Sequence, residues 1–125
     1  MGGPAPGNSA KIAGGGMNPE EQIHRAIVKY LRLAWPEVLF FHPANGEKRG
    51  IQAAVRLKAM GVIPGVPDLV LILPDGSHGY LEIKPEKKYA TPVQKAFHAE
   101  LTARNVKIAV VRSIDDVAQT LEEWT

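Results

Sequence analysis

Asp68, Glu82 and Lys84 are the residues of this chain whose types and spacing most readily do chemistry, and they stand at the two ends of "PDLVLILPDGSHGYLEIK". Leu69 to Leu73 form an unbroken apolar run that predicts a strand buried on both faces. "PDGSHG" supplies turn chemistry, and "YLEIK" returns as a second strand. With the turn centred near Asp75, cross-strand partners have numbers summing to about 150, which sets Asp68 opposite Glu82 at the open end of the hairpin. Strand side chains alternate, so Glu82 and Lys84 point one way and Ile83 the other. Two carboxylates ~4 Å apart repel by about 4 kcal/mol at an effective dielectric of about 20. The hairpin mouth therefore calls for a cation, either Lys84 alone or Lys84 together with a metal ion.

An aspartate, a spacer and Glu-x-Lys are the minimal set for metal-assisted phosphodiester hydrolysis. Carboxylates suit Mg²⁺ or Mn²⁺, hard cations that prefer oxygen and keep several waters. Such an ion activates a bound water and polarises the phosphate, while the lysine stabilises charge developing on it. The plain alternative is a solvated Glu-x-Lys face and a turn aspartate after Pro67. Against it stand the apolar flanking strand, the hairpin register, and the lead-in "GVIPGVPD", whose glycines and prolines define a tight backbone path.

The elements that must position these residues are legible around them. In "NPEEQIHRAIVKYLRLAW", Asn18 is a good N-cap and Pro19 suits the first helical position. Glu20 and Glu21 complement the helix dipole, and Pro36 stops the helix. Its apolar stripe is Ile23, Ala26, Ile27, Tyr30, Leu31 and Ala34. "VLFFH" predicts a short strand, "PANGEKRG" a loop turning at Asn45-Gly46, and "IQAAVRLKAM" a second helix ending at Gly61. After the hairpin come the link "PEKKYA", a third helix from about Thr91 to Arg104, the strand "VKIAVV" and a closing helix in "SIDDVAQTLEEW". The order predicts an α/β fold, a mixed sheet with helices on both faces.

The chain has 125 residues, enough for one domain, and its formal charge is +2 with no cysteine. Disulfides and thiolate metal sites are excluded, and a cytoplasmic or nucleoid-associated location in a bacterial or phage-infected cell is expected. No apolar run approaches a membrane span. An isoelectric point near 9.0 permits a nucleic-acid partner. Residues 1–16, "MGGPAPGNSAKIAGGG", read as a flexible leader or tag before a domain spanning 17–125.

"PGVPD" (64–68), "YLEIK" (80–84) and "TPVQ" (91–94), with "PEEQIH", "HPANGEKR" and "LKAMGVIPGVPD" before them, resemble the virus-type replication-repair nuclease (VRR-NUC) domain of the PD-(D/E)xK superfamily. The likeness runs from about Asn18 to Thr125. It implies a restriction-endonuclease-like fold and a divalent-metal DNA endonuclease, with Asp68 and Glu82 as metal ligands and Lys84 as the catalytic lysine. It also implies that the Ile83 carbonyl completes the inner sphere and that Gln94 is an accessory site residue. Stand-alone members of this kind look like dimeric resolvases of four-way (Holliday) junctions, acting in DNA repair and recombination. Pro85 directly after the lysine, Glu47 after Asn-Gly, and Asn105 where glycine is commoner depart from the pattern.

Other candidates follow from position. Thr91 to Gln94 also reads as a capping box, so Gln94 has a structural role to weigh beside the site role. On the first helix Glu20 lies roughly 50° from the centre of the apolar stripe and Glu21 roughly 150°. Glu20 thus faces the sheet, within reach of a second metal or the attacking water, and Glu21 is a capping residue. The histidines are scattered: His98 and Glu100 make no zinc-protease pair, and His42, at a strand end, reads first as a loop residue and second as a site-lining one. Asn45, Lys48, Arg49, Lys87 and Lys88 adjoin the hairpin mouth and are candidate phosphate contacts, which position a duplex without reading its sequence. The leading expectation is a Mg²⁺- or Mn²⁺-dependent, structure-specific DNA endonuclease, a homodimeric junction resolvase. A flap or single-strand nuclease and a non-catalytic DNA-binding module are the alternatives.

Overall fold

A computed structural model describes residues 17–44 and 50–125; residues 1–16 and 45–49, with the candidates Asn45, Lys48 and Arg49, lie outside the described residues. Helix α1 (Pro19–Ala34) starts as its sequence dictates, with Asn18 Oδ1 accepting the Glu21 N–H at 2.8 Å and Pro19 in the first turn. The elements that follow are β1 (Leu39–Phe41), α2 (Ile51–Ala59), β2 (Leu69–Ile72), β3 (His78–Ile83), α3 (Pro92–Ala103), β4 (Lys107–Val111) and α4 (Ile114–Trp124). The sheet runs β1-β2-β3-β4, antiparallel across the first two pairs and parallel between β3 and β4, which α3 connects. This is the expected mixed sheet.

Alternation along the strands sorts the sheet into two unlike faces. Leu69, Leu71, Leu81, Ile83 and Val111 point to one side and are fully buried. There they meet Ile27 and Leu31 of α1 and Val117 and Leu121 of α4 in one core. Gly79 belongs to this layer because the Trp124 ring fills the space a Cβ would need. The stripe of α1 is narrower than its sequence pattern: Ala26 and Ala34 are exposed, while Val28 and Trp35 pack against the core.

The opposite face carries Glu82 and is covered by α3 over β3 and β4 only. β2 is therefore not buried on both faces as its apolar run predicts: Val70 and Ile72 are half-buried between buried Leu69 and Leu71. The reason is that among the described residues no helix covers β1 and β2, and Leu39 and Phe41 are exposed on the same face. Helix α2 buries none of its residues, and its Ile51 and Val55 face solvent.

Two backbone positions fix the approach to the hairpin mouth and its return. Gly65 holds φ +85°, and a Cβ there would lie 2.7 Å from the Val93 carbonyl oxygen, so this loop can press on the first turn of α3 only as glycine. Asn105 turns the chain from α3 into β4 at φ +61°, a left-handed conformation that asparagine tolerates better than most residues.

Candidate active site

The ladder pairs Leu69 with Leu81 and Val70 with Tyr80, so partner numbers sum to 150, and one step further Asp68 comes opposite Glu82. Asp68 turns a carboxylate oxygen back onto the next strand, where Oδ2 accepts the Ile83 N–H at 2.7 Å. Glu82 is 1% exposed and Lys84 8%, the two buried charged residues among those described. Burial pushes the Glu82 carboxyl up to about 8, the neighbouring Asp68 carboxylate pushes the same way, and Lys84 opposes them. The two acids thus share one side of the sheet, close enough to resist joint ionisation.

Helix α3 supplies the other contacts to Glu82. Gln94 Nε2 donates to Glu82 Oε2 at 3.2 Å, and one turn later His98 Nε2 meets Oε1 at 3.3 Å. The His98 pKa is lowered by burial and then by Lys84, so this contact is a hydrogen bond to a neutral imidazole rather than an ion pair. Gln94 also completes the capping box: its Oε1 accepts the Thr91 N–H at 2.9 Å, and Thr91 Oγ1 accepts the Gln94 N–H at 3.2 Å. The structural and site roles of Gln94 are therefore one arrangement, with the amide oxygen serving the helix and the amide nitrogen serving Glu82.

Beside Asp68 lies a cleft of about 620 Å³ walled by the first turns of α1 and α3, with Glu20, His24, His42, Asp68 and Gln94 among its lining. Glu20 is exposed on this wall, and its charge reaches both Glu82 and His24. Glu21 reaches Arg25 at 2.8 Å instead of closing a capping box with Asn18. His24 sits with its ring 4.6 Å from that of His42 in an edge-to-face contact, and its pKa is lowered, first by burial and then by His42.

No family model matches the sequence, and no curated protein matches it. Two solved structures share its architecture. One, named "VRR_NUC domain", is similar at 22% identity and a TM-score of 0.60, over 87% of this chain and 100% of that chain. Another, "VRR_NUC domain protein", is similar at 21% identity and a TM-score of 0.63, over 86% of this chain and 88% of that one. The chain has the VRR_NUC fold.

Within the VRR_NUC fold the structure brings together Asp68, Glu82, Ile83, Lys84 and Gln94, with Glu20 at the cleft rim. Lys87 and Lys88 stand exposed in the turn that follows Lys84, Lys87 at φ +66°. Exposed Tyr89 of the same link lies over the Arg112 guanidinium, 5.2 Å from ring centroid to Cζ. Sequence reasoning missed His98 and ranked His42 as a plain loop residue above a site-lining one, whereas it lines the cleft. The signal for His98 was its spacing of one helical turn from Gln94, which puts both on the face that looks at the sheet. His42 carried only its place at a strand end.

The donor set is one of hard oxygens: two carboxylates and the Ile83 main chain beside Asp68. Among the described residues no group of three or more His, Asp or Glu side chains surrounds a common ion position. A divalent cation held here would take two carboxylates, a main-chain oxygen and waters, which fits the habit of Mg²⁺ and Mn²⁺. The raised Glu82 carboxyl is the electrostatic mark of a pair that a second positive charge would relieve.

Proposed function

We propose that this protein is a Mg²⁺- or Mn²⁺-dependent, structure-specific DNA endonuclease, a homodimer that resolves four-way junctions. The observation that carries the reading is the buried pairing of Glu82 with Asp68 and Lys84, of which Asp68 lines an open cleft. The VRR_NUC fold of its structural neighbours and the ordered motifs "PGVPD", "YLEIK" and "TPVQ" support it.

When bound, the metal supplies an activated water and a Lewis acid at the scissile phosphate. Asp68, Glu82 and the Ile83 carbonyl are the groups to hold it. Glu82 would have to be ionised to hold the metal, and the Gln94 and His98 contacts would keep its carboxylate in place. Lys84, almost without exposure, brings a positive charge to the developing oxyanion from within a low-dielectric wall, where it counts for more than in water. Lys87 and Lys88 contact phosphates beyond the cleft and set position without reading bases. The exposed Glu20 stands where it can order an attacking water.

A four-way junction has near two-fold symmetry and needs paired cuts, which a C2 dimer with two sites supplies. Apolar side chains left uncovered in the single chain, Leu39, Phe41, Ile51 and Val55, also favour a dimer. The test is a panel of labelled four-way, flapped, single-stranded and linear DNAs with Mg²⁺, Mn²⁺ or chelator. Paired cutting of the junction, lost with chelator and in Asp68→Asn, is the expected result. Preferential flap or single-strand cutting would change the substrate, and junction binding without product at any metal concentration would leave a binding module.

A further inference from the structure

The β1–β2 register runs Leu39 with Ile72, Phe40 with Leu71 and Phe41 with Val70. Continued by two residues it sets Pro43 opposite Asp68, and proline has no N–H to extend the ladder. The Asp68 carbonyl nevertheless has a donor, because His42 Nδ1 lies 2.6 Å from it. A carbonyl oxygen can only accept, so Nδ1 carries the proton and His42 stands in for the main-chain donor that Pro43 lacks. Asp68 is thereby held at both ends, its main chain from β1 by the imidazole and its carboxylate from β3 by the Ile83 N–H at 2.7 Å. The His24 ring, edge-to-face at 4.6 Å, limits where the His42 ring can turn.

From this geometry we infer that His42 is a positioning residue: a surrogate ladder donor that fixes the main chain of Asp68 and so aims its carboxylate. The proposal concerns the same site as the nuclease reading and rests on that reading only for its metal arm. Loss of the His42 donor should loosen the hydrogen bond from the Ile83 N–H to the Asp68 carboxylate. A typical bond of this kind contributes about 1 kcal/mol, which converts to roughly fivefold.

Two variants separate the ring from the donor. His42→Phe keeps an aromatic ring against His24 and removes the N–H, whereas His42→Asn keeps a side-chain N–H at the reach of Nδ1 and removes the ring. Amide hydrogen exchange in the metal-free protein is the first readout. Exchange at Ile83 should quicken roughly fivefold in His42→Phe and stay near wild type in His42→Asn, with Gly79 at the far end of β3 unaffected in both. Unchanged Ile83 exchange in His42→Phe, or equal acceleration in both variants, overturns the proposal. Calorimetry with Mn²⁺ is the second readout, with affinity reduced in His42→Phe and retained in His42→Asn. Wild-type protein that takes up no Mn²⁺ would sink the metal reading, and the exchange result would still decide the role of His42.

Discussion

Over β3, beneath α3, the sheet buries Glu82 and Lys84, while over β1, on the same face, it leaves Leu39 63% and Phe41 51% exposed. A chain selected only for stability would arrange these regions the other way round. Taking an ionised carboxylate out of water costs several kcal/mol unless it is paired, and leaving a leucine in water forfeits about 1.5–3 kcal/mol of burial. The first region accepts its cost for a fixed geometry: Glu82 is bonded by two side chains of α3, and Asp68 is tied across the hairpin. Among the described residues no helix lies above the second. Departures from the burial rule of both signs therefore mark the part of the molecule where sequence serves something besides the core.

The largest expected effect lies in the buried region. Lys84→Met keeps the length and apolar stem of the side chain and removes the charge. If Lys84 stabilises the oxyanion, single-turnover junction cleavage should fall by roughly 10²–10³, the range seen when one electrostatic donor is lost. The thermal unfolding temperature of the same variant, followed in chelator, should fall at neutral pH, because the charge that offsets Asp68 and Glu82 has left the buried site, and should recover towards wild type at low pH, where the acids are protonated. Cleavage within a few-fold of wild type would mean that Lys84 only neutralises the two acids.

The comparison sharpens when the two sheet faces are truncated alike. Leu71→Ala opens a cavity in the core between the sheet and its helices and should cost about 2–5 kcal/mol in denaturant unfolding. Leu39→Ala, at an equally apolar residue on the neighbouring strand, should stay within about 0.5 kcal/mol for the isolated chain. A large loss at Leu39 that grows with protein concentration would reveal that this face is covered in solution.

That asymmetry is also where sequence reading stopped. The hairpin mouth was legible because it is local: a turn near Asp75 fixes every partner sum, and the caps at Asn18 and Thr91 announce their helices. Burial of β2 was not, since "LVLIL" reads the same whether one or two layers cover it, and the cover is set by where α3 packs. The partners of Glu82 were half legible. Gln94 could be read as a cap, but that its amide nitrogen faces Glu82, with His98 one turn on, depends on the crossover of α3 from β3 to β4. Nothing in the sequence pattern joins His42 to Asp68 except the strand register and the proline that follows it.

The raised Glu82 carboxyl gives a third way to test the buried region, through pH. Its pKa is about 8 in the fold against 4.5 as the ordinary value, so between these pH values the folded chain holds a proton that the unfolded chain has released. Stability of the metal-free protein should fall as pH rises through that window, with the full loss reached above about pH 8. Glu82→Gln removes the titration, so its curve should lie above wild type at pH 9, by on the order of 2–4 kcal/mol, and meet it near pH 4. Urea unfolding in chelator at several pH values measures this, and equal slopes for the two proteins would place the Glu82 carboxyl in water.

The smallest effect is the most discriminating, because Gln94 joins the helix to the acid. Gln94→Glu preserves the capping box, since a carboxylate oxygen accepts the Thr91 N–H as well as an amide oxygen does. It also replaces the donor to Glu82 with a third acid beside Asp68. If Gln94 served only as a cap, the variant would be neutral or slightly stabilising at any pH. With the amide nitrogen serving Glu82, stability at neutral pH should drop by about 1 kcal/mol and the Glu82 titration should move further up. Gln94→Ala loses both bonds and cannot separate the two roles, so the comparison rests on the glutamate variant followed across the pH range where Glu82 titrates.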